Sequence, residues 1–204
     1  MHFLIQRWHY CSGLFLVRRF GMKHKKRAVF IDRDGTLIQD THYLNRPEQV
    51  SFYTHAFQAI RLLNKHRFTV IITTNQSGVG RGYLSIPMLN RIHRKIRTML
   101  ARHRARIQGI YYCPHLPDDH CSCRKPKTGM VVQAQKRHQL DLSTSYVIGD
   151  KPCDIHMAHN FGGTGVLVLT GKGKKEIRQW KGPRPHHTSS TLYEAVRWII
   201  GHEK

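Results

Sequence analysis

Acidic side chains are what this sequence has least of. Its 204 residues carry 12 Asp and Glu against 34 Lys and Arg, a formal net charge of +22, with an isoelectric point near 10.4. From Gln49 to Pro117 there is no acid at all. Such an excess raises nucleic acid or an anionic membrane surface as partners. The cations are scattered along helical segments, however, and form no dense basic arm. They read chiefly as solvated faces plus a positive field that favours an anionic substrate. Long apolar runs are lacking too: Gly13–Val17 is far too short to span a membrane, and no small-residue cleavage site of the signal-peptide kind accompanies it. A disulfide framework is missing as well. Three of the five cysteines, Cys113, Cys121 and Cys123, fall within eleven residues with His115 among them, which suits a metal in a reducing compartment. Cys11 and Cys153 have no evident partners and read as inert thiols. No internal repeat or low-complexity tract is present.

Residues 1–21 mix aromatic and apolar residues with Arg7, Arg18 and Arg19 and hold no acid. They read as a leader, either a transit peptide or, preferably, an extension upstream of a natural start at Met22, and are expected to be poorly ordered and dispensable. Residues 22–204 are expected to form one domain, large enough to bury a core without disulfide staples. Within it, strand and helix patterns alternate. Strands are expected at Ala28–Ile31, in the β-branched run 68–73, and at 110–112, 145–148 and 165–169. Helices are expected over 54–66, from Pro87 to about His103, over 129–139 and 153–161, and over 191–200, with a basic loop at 171–187. This alternation predicts an α/β fold: a Rossmann-like, doubly wound parallel sheet with a minimal cap. Ligands of such sheets bind at the carboxyl ends of the strands, near the point where strand order reverses.

The scarce acids lie at those ends. The first strand points at Asp32-Arg33-Asp34-Gly35-Thr36. Carboxylates at i and i+2 can face one pocket while Arg33 between them points away. Such a pair suits a nucleophile or metal ligand beside a proton carrier; a solvated Asp-Gly turn is the plainer alternative. The second strand ends in Thr73-Thr74-Asn75-Gln76-Ser77-Gly78, hydroxyl and amide donors of the kind that hold phosphate oxygens. Gly149-Asp150-Lys151 follows a later strand, with Asp154 one helical turn on, and Arg124-Lys125-Pro126-Lys127 precedes another helix. Carboxylates for a hard cation, with hydroxyls and a lysine for phosphate, would then converge on one edge.

Asp32-x-Asp34-Gly35-Thr36, Thr74, Lys125 before Pro126, and Gly149-Asp150-x-x-x-Asp154 resemble the four motifs of the haloacid dehalogenase-like phosphatases, across nearly all of residues 26–175. Cys113-Pro114-His115 and Cys121-Ser122-Cys123-Arg124-Lys125-Pro126 resemble a loop shared by D-glycero-D-manno-heptose 1,7-bisphosphate phosphatases and the phosphatase part of bacterial histidinol-phosphatases. One His and three Cys suit a tetrahedral, structural Zn²⁺ with no open position. The segments 75–82, 127–130 and 40–44 are more similar to the heptose group.

The resemblance implies Mg²⁺-dependent removal of the 7-phosphate from a sugar bisphosphate through an aspartyl-phosphate, in ADP-heptose and lipopolysaccharide core biosynthesis, by a cytoplasmic monomer. It implies Asp32 as nucleophile, Asp34 as acid and base, and Thr74 and Lys125 as stabilisers of the phosphoryl group. Substrate contacts would come from Asp40, Thr41, His42, Tyr43, Thr74, Asn75, Gln76, Ser77, Arg124, Lys125 and Lys151. Mg²⁺ would be held by Asp32, the main-chain carbonyl of Asp34 and Asp150, and Zn²⁺ by Cys113, His115, Cys121 and Cys123. Histidinol phosphate is the alternative substrate. A nucleic-acid 3′-phosphatase is the remoter one, although it would give the +22 a purpose. A binding module with inactive motifs would require loss of Asp32 or Asp34, and both are present.

Overall fold

The computed structural model describes residues 25–202, so the leader and Cys11 lie outside the described residues. Strands β1 (Lys26–Asp32), β2 (Thr69–Asn75), β3 (Gly109–Cys113), β4 (Leu140–Gly149), β5 (Thr164–Val168) and β6 (His187–Ser189) pair in one parallel sheet. The order is β3-β2-β1-β4-β5-β6, so it reverses between β1 and β4. The helices among the described residues are α1 (Ala56–Lys65), α2 (Ser77–Gly80), α3 (Ile86–Arg102), α4 (Gly129–His138), α5 (Pro152–Phe161), α6 (Gly173–Glu176) and α7 (Leu192–Gly201).

Side-chain alternation along the strands decides which helices cover which face. Val29 and Ile31 of β1, with Val70 and Ile72 of β2, enter the core shared with α1, α3 and α7 through Ile60, Leu63, Ile92, Ile96, Val196 and Ile199. Ala28, Phe30, Ile71 and Val147 enter a second core against Val131 and Ala134 of α4 and Met157 and Ala158 of α5. Each fully buried branched side chain contributes roughly 1.5–3 kcal/mol relative to exposure. The sheet is therefore rigid where it must hold a site. Local signals also act as expected: Pro87 sits in the first turn of α3, and the Ser85 Oγ accepts from the Met88 N–H.

Two parts of the sequence reading need correction. The strand expected at 145–148 starts at Leu140, because Lys26 and Arg27 already pair with Leu140 and Asp141 ahead of a register shift. Its polar Ser143-Thr144-Ser145 stretch hides this: Ser145 turns its hydroxyl back onto the Asp141 carbonyl and accepts from the Ala28 N–H at 3.0 Å. The loop expected over 171–187 contains α6, and the sixth strand, His187–Ser189, begins at its last residue. Three polar residues on an edge carry no apolar alternation that could announce a strand.

Candidate active site

Asp32 is the last residue of β1 and pairs in register with Thr73, so the carboxyl ends of β1 and β2 open on one side. Beyond Asp32 the chain folds back at once. Leu37 and Ile38 donate to the Arg33 carbonyl at 3.1 and 2.9 Å, and Gly35 donates to the Ile38 carbonyl at 2.8 Å. Gly35 adopts φ +91°, and a Cβ there would lie 2.3 Å from Asp150 Oδ2. Only glycine meets both conditions.

That fold-back overturns the expectation that Arg33 points away, because strand alternation stops where the strand stops. Arg33 is 1% exposed and grips its neighbour. Its Nε donates to Asp34 Oδ2 at 3.0 Å and its Nη2 to Asp34 Oδ1 at 3.0 Å. Nη2 also donates to Gln76 Oε1 at 2.9 Å, and Nη1 lies 3.2 Å from His93 Nε2. Guanidinium can only donate, so that His93 nitrogen is the acceptor and the ring is neutral. Gln76 Nε2 and Thr74 Oγ1 complete the shell, donating to Asp34 Oδ2 at 2.9 and 3.3 Å. Burial opposes charge on Asp34, but Arg33, with Lys151 and Gln76, outweighs it and holds the carboxyl below its usual range.

Two lysines serve the other carboxylates. The Lys125 Nζ, nearly inaccessible, donates to Asp32 Oδ1 (2.5 Å), Asp154 Oδ1 (2.6 Å) and the Thr73 carbonyl (3.0 Å). Burial disfavours its charge, yet Asp154 and Asp32 more than compensate and raise its pKa. Asn75 fixes the lysine main chain, accepting from Lys125 N at 3.0 Å and donating to Lys125 O at 3.2 Å. Lys151 is looser. Its Nζ donates to the Asp34 carbonyl at 3.3 Å and lies 3.5 Å from Asp150 Oδ1, 3.9 Å from Asp40 Oδ2 and 4.0 Å from Asp32 Oδ2. Asp150 is fully buried, its Oδ2 accepting from Lys172 N at 2.8 Å. Burial and then the nearby Asp32 push Asp150 up to about 7. Asp32 Oδ2 and Asp150 Oδ1 are buried acceptors without a hydrogen-bond partner. Asp32, Asp150 and Asp154 offer carboxylate oxygens within 4.8 Å of one another. Orphaned hard-oxygen acceptors of this kind fit a divalent cation such as Mg²⁺.

Asp32, Arg33, Asp34 and Lys125 floor a pocket of about 310 Å³ whose walls include Asp40, His42, Tyr43, Thr74, Asn75, Gln76, Ser77, Arg124 and Lys151. Its rim carries an aromatic pair, Tyr43 edge-on to Tyr83 at 4.9 Å between centroids. Thr41, also expected to touch substrate, lines a neighbouring depression with Tyr53 and Lys172. Asp150 lies beneath the pocket and is not part of its wall. Sequence reasoning missed Arg33, His93 and the main chain of Lys172. An arginine set between two aspartates is the one signal of this in the sequence, and strand alternation argues against it.

The thiol cluster is separate. Cys113 ends β3, and its Sγ lies 3.6 Å from Cys121 Sγ and 3.6 Å from His115 Nδ1. Cys123 Sγ is 3.3 Å from His115 Nδ1 and 3.6 Å from Cys121 Sγ. A tetrahedral zinc with Zn–S near 2.3 Å would set S–S edges at about 3.8 Å, so the four groups fit that ion closely. The loop is pinned to the pocket wall: Arg124 Nη1 donates to the His115 carbonyl at 3.3 Å, and Gly129 N to the Ser122 carbonyl at 3.1 Å.

A family model described as haloacid dehalogenase-like hydrolase matches residues 122–195. A D-glycero-beta-D-manno-heptose-1,7-bisphosphate 7-phosphatase of Neisseria meningitidis is 33% identical over 177 residues, 85% of this chain and 95% of that protein. A D-glycero-D-manno-heptose-1,7-bisphosphate 7-phosphatase of Thermosynechococcus vestitus is 37% identical over 188 residues, 86% of this chain and 96% of that one. The solved structure of a D,D-heptose 1,7-bisphosphate phosphatase from B. bronchiseptica, complexed with magnesium and phosphate, superposes with a TM-score of 0.81 at 32% identity, covering 87% of this chain and 99% of the other. Among the described residues no helix is long and apolar enough to cross a membrane.

Proposed function

Because the chain belongs to the heptose 1,7-bisphosphate phosphatases of the haloacid dehalogenase-like hydrolases, we propose that it removes the 7-phosphate of D-glycero-D-manno-heptose 1,7-bisphosphate. One observation carries the chemistry: Asp32 Oδ2 is a buried, unpartnered carboxylate oxygen at the floor of a cation-lined pocket, with Asp34 two residues on. In this reading Asp32 attacks phosphorus, and Lys125 on its other oxygen holds it in aim. Asp34, kept as a carboxylate by Arg33, is a competent base for the water that cleaves the aspartyl-phosphate. The proton that Asp34 takes from that water is the one it returns to the next leaving alkoxide, and holding it requires Asp34 to loosen from Arg33. Thr74 and Lys125 stabilise the charge spread over the phosphoryl oxygens. Mg²⁺ would be held by Asp32, the Asp34 carbonyl and Asp150, and would supply charge neutralisation at the phosphoryl group.

The substrate contacts divide by what their polar atoms already do. Asn75 spends its amide on Lys125 and acts as a positioning group. His42, Tyr43, Ser77 and Arg124 face the pocket and meet the sugar and its second phosphate. Cys113, His115, Cys121 and Cys123 would hold Zn²⁺, which would fix Arg124 and Lys125, the residues directly after Cys123 in the chain. A cytoplasmic monomer belongs to the same reading, as does a dispensable leader, so a chain begun at Met22 retains activity. The test is phosphate release from heptose 1,7-bisphosphate, histidinol phosphate and a DNA 3′-phosphate, side by side with Mg²⁺. The heptose substrate is expected to be turned over with by far the highest kcat/KM. A preference for either other substrate overturns the proposal.

A further inference from the structure

The oxygens that fit Mg²⁺ already face a cation. The Lys151 ammonium donates to the Asp34 carbonyl and lies 3.5 Å from Asp150 Oδ1 and 4.0 Å from Asp32 Oδ2, the two carboxylate oxygens that lack hydrogen-bond partners. A divalent cation on the same oxygens would meet a positive charge that lies within 4.0 Å of each of them, and two cations so placed repel and compete for the carboxylates.

The two lysines of the site differ in their freedom to yield. Lys125 is 2% exposed and is held by three acceptors, two of them carboxylates at 2.5 and 2.6 Å. Lys151 is 28% exposed, with no carboxylate closer than 3.5 Å. It also has somewhere to go, since Asp40 Oδ2, on the pocket wall, is 3.9 Å away. The carboxylates it faces are fixed independently, Asp32 through Lys125 and Asp150 through Lys172 N, so they need not move when it leaves.

We infer that Lys151 is the exchangeable counter-cation of this site: its ammonium neutralises Asp32 and Asp150 until a divalent cation displaces it towards Asp40 and the pocket. The inference rests on the reading of these oxygens as a Mg²⁺ site. It adds an order of events, because loading the metal delivers a positive charge to the place where a substrate phosphate binds.

The test needs no turnover. Mg²⁺ is titrated calorimetrically into the wild type, Lys151→Met and Lys151→Gln, and thermal unfolding is followed in chelator and in excess Mg²⁺. Both variants are expected to bind Mg²⁺ roughly tenfold or more tightly than wild type, because the competing charge is gone. They are also expected to melt lower than wild type in chelator and level with it in Mg²⁺. Wild-type crystals grown with and without Mg²⁺ supply a measurement that does not depend on the variants. Lys151 Nζ should move from the Asp34 carbonyl towards Asp40 when the metal is present. Equal or weaker Mg²⁺ binding by both variants, or an unmoved Nζ, overturns the inference alone. A wild type that binds no Mg²⁺ overturns the metal reading and the inference together.

Discussion

The two groups of candidate metal ligands in this chain are assembled in opposite ways. Cys113, His115, Cys121 and Cys123 come from eleven successive residues, the last of β3 and the loop that follows it. Asp32, Asp150 and Asp154 come from the ends of β1 and β4 and the first turn of α5, and meet only because those strands are neighbours. The carboxylates have cations built in, Lys125 and Lys151. Among the described residues the thiols have no cationic side chain hydrogen-bonded to them: burial, then neighbouring thiols, push Cys113 up to about 12, whereas at Cys121 burial is outweighed by the Arg124 main-chain N–H and the other two thiols, which bring it down to about 7. The carboxylate site thus keeps its shape through its own lysines, whereas the thiol loop needs its ion to be a site at all. Loss of one metal should stop chemistry, and loss of the other should loosen structure.

The largest effect tests the first half of that contrast. Asp32→Asn is expected to lower turnover by at least about a thousandfold, with a melting temperature within a few degrees of wild type, since asparagine can still accept from Lys125. Phosphate-release assays and thermal unfolding decide it, and near-normal turnover removes Asp32 as nucleophile. Next comes the thiol loop. Metal analysis should find about one zinc per chain, and Cys123→Ser should lose it, melt lower and fall on the order of 10–100-fold in kcat as Arg124 and Lys125 lose their anchor. Removing Mg²⁺ alone should shift the melting temperature far less. Equal shifts for the two metals would collapse the comparison. An effect of comparable size on activity is expected from Gly35→Ala, which places a Cβ 2.3 Å from Asp150 Oδ2 at φ +91°. A misplacement of Asp150 by about 1 Å predicts roughly a hundredfold loss of activity and at least about 1 kcal/mol of stability. The control is Gly162→Ala, also at positive φ (+77°) but with open space around it, which should cost stability only.

How much was legible in advance follows from the same difference. The thiol cluster could be read from spacing because its ligands share one short segment. The carboxylate site could be read only in outline, because alternating strands and helices put Asp32, Thr74 and Asp150 at strand ends without saying which atoms meet. Arg33 was misread for a physical reason: alternation holds along β1 and fails one residue beyond Asp32, where the chain turns through Gly35. The resemblance implies Asn75 as a substrate contact, and it does line the pocket, but its amide is held by the Lys125 main chain, a pairing far off in sequence that no local pattern announces. The polar edge strand β6 had no apolar pattern to give it away. The sequence does not explain the +22 either, because the mechanism engages only Arg33, Lys125 and a few cations lining the pocket.

The subtlest prediction concerns the part of the carboxylate site that sequence reasoning did not see. His93 is 7% exposed and accepts from Arg33, so its proton-binding form is excluded twice, by burial first and by the guanidinium second, and its pKa falls to about 3 from an ordinary value of 6.5. The unfolded chain takes up the proton below pH 6.5 while the folded chain does not. Neutral His93 therefore contributes stability that is present in full above 6.5, is lost as pH falls through the window down to about 3, and changes no further below it. The slope inside the window is about 1.4 kcal/mol per pH unit for one proton. His93→Gln keeps an acceptor for Arg33 and has nothing to titrate. At pH 7 it should be less stable than wild type by about 1–2 kcal/mol from imperfect packing and hydrogen bonding. Urea unfolding at pH 7, 6, 5 and 4.5 should show that gap closing and then reversing. A gap that stays constant across the series would mean that the folded chain protonates His93 freely, so that Arg33 is not held by it and Asp34 is gripped from one side only.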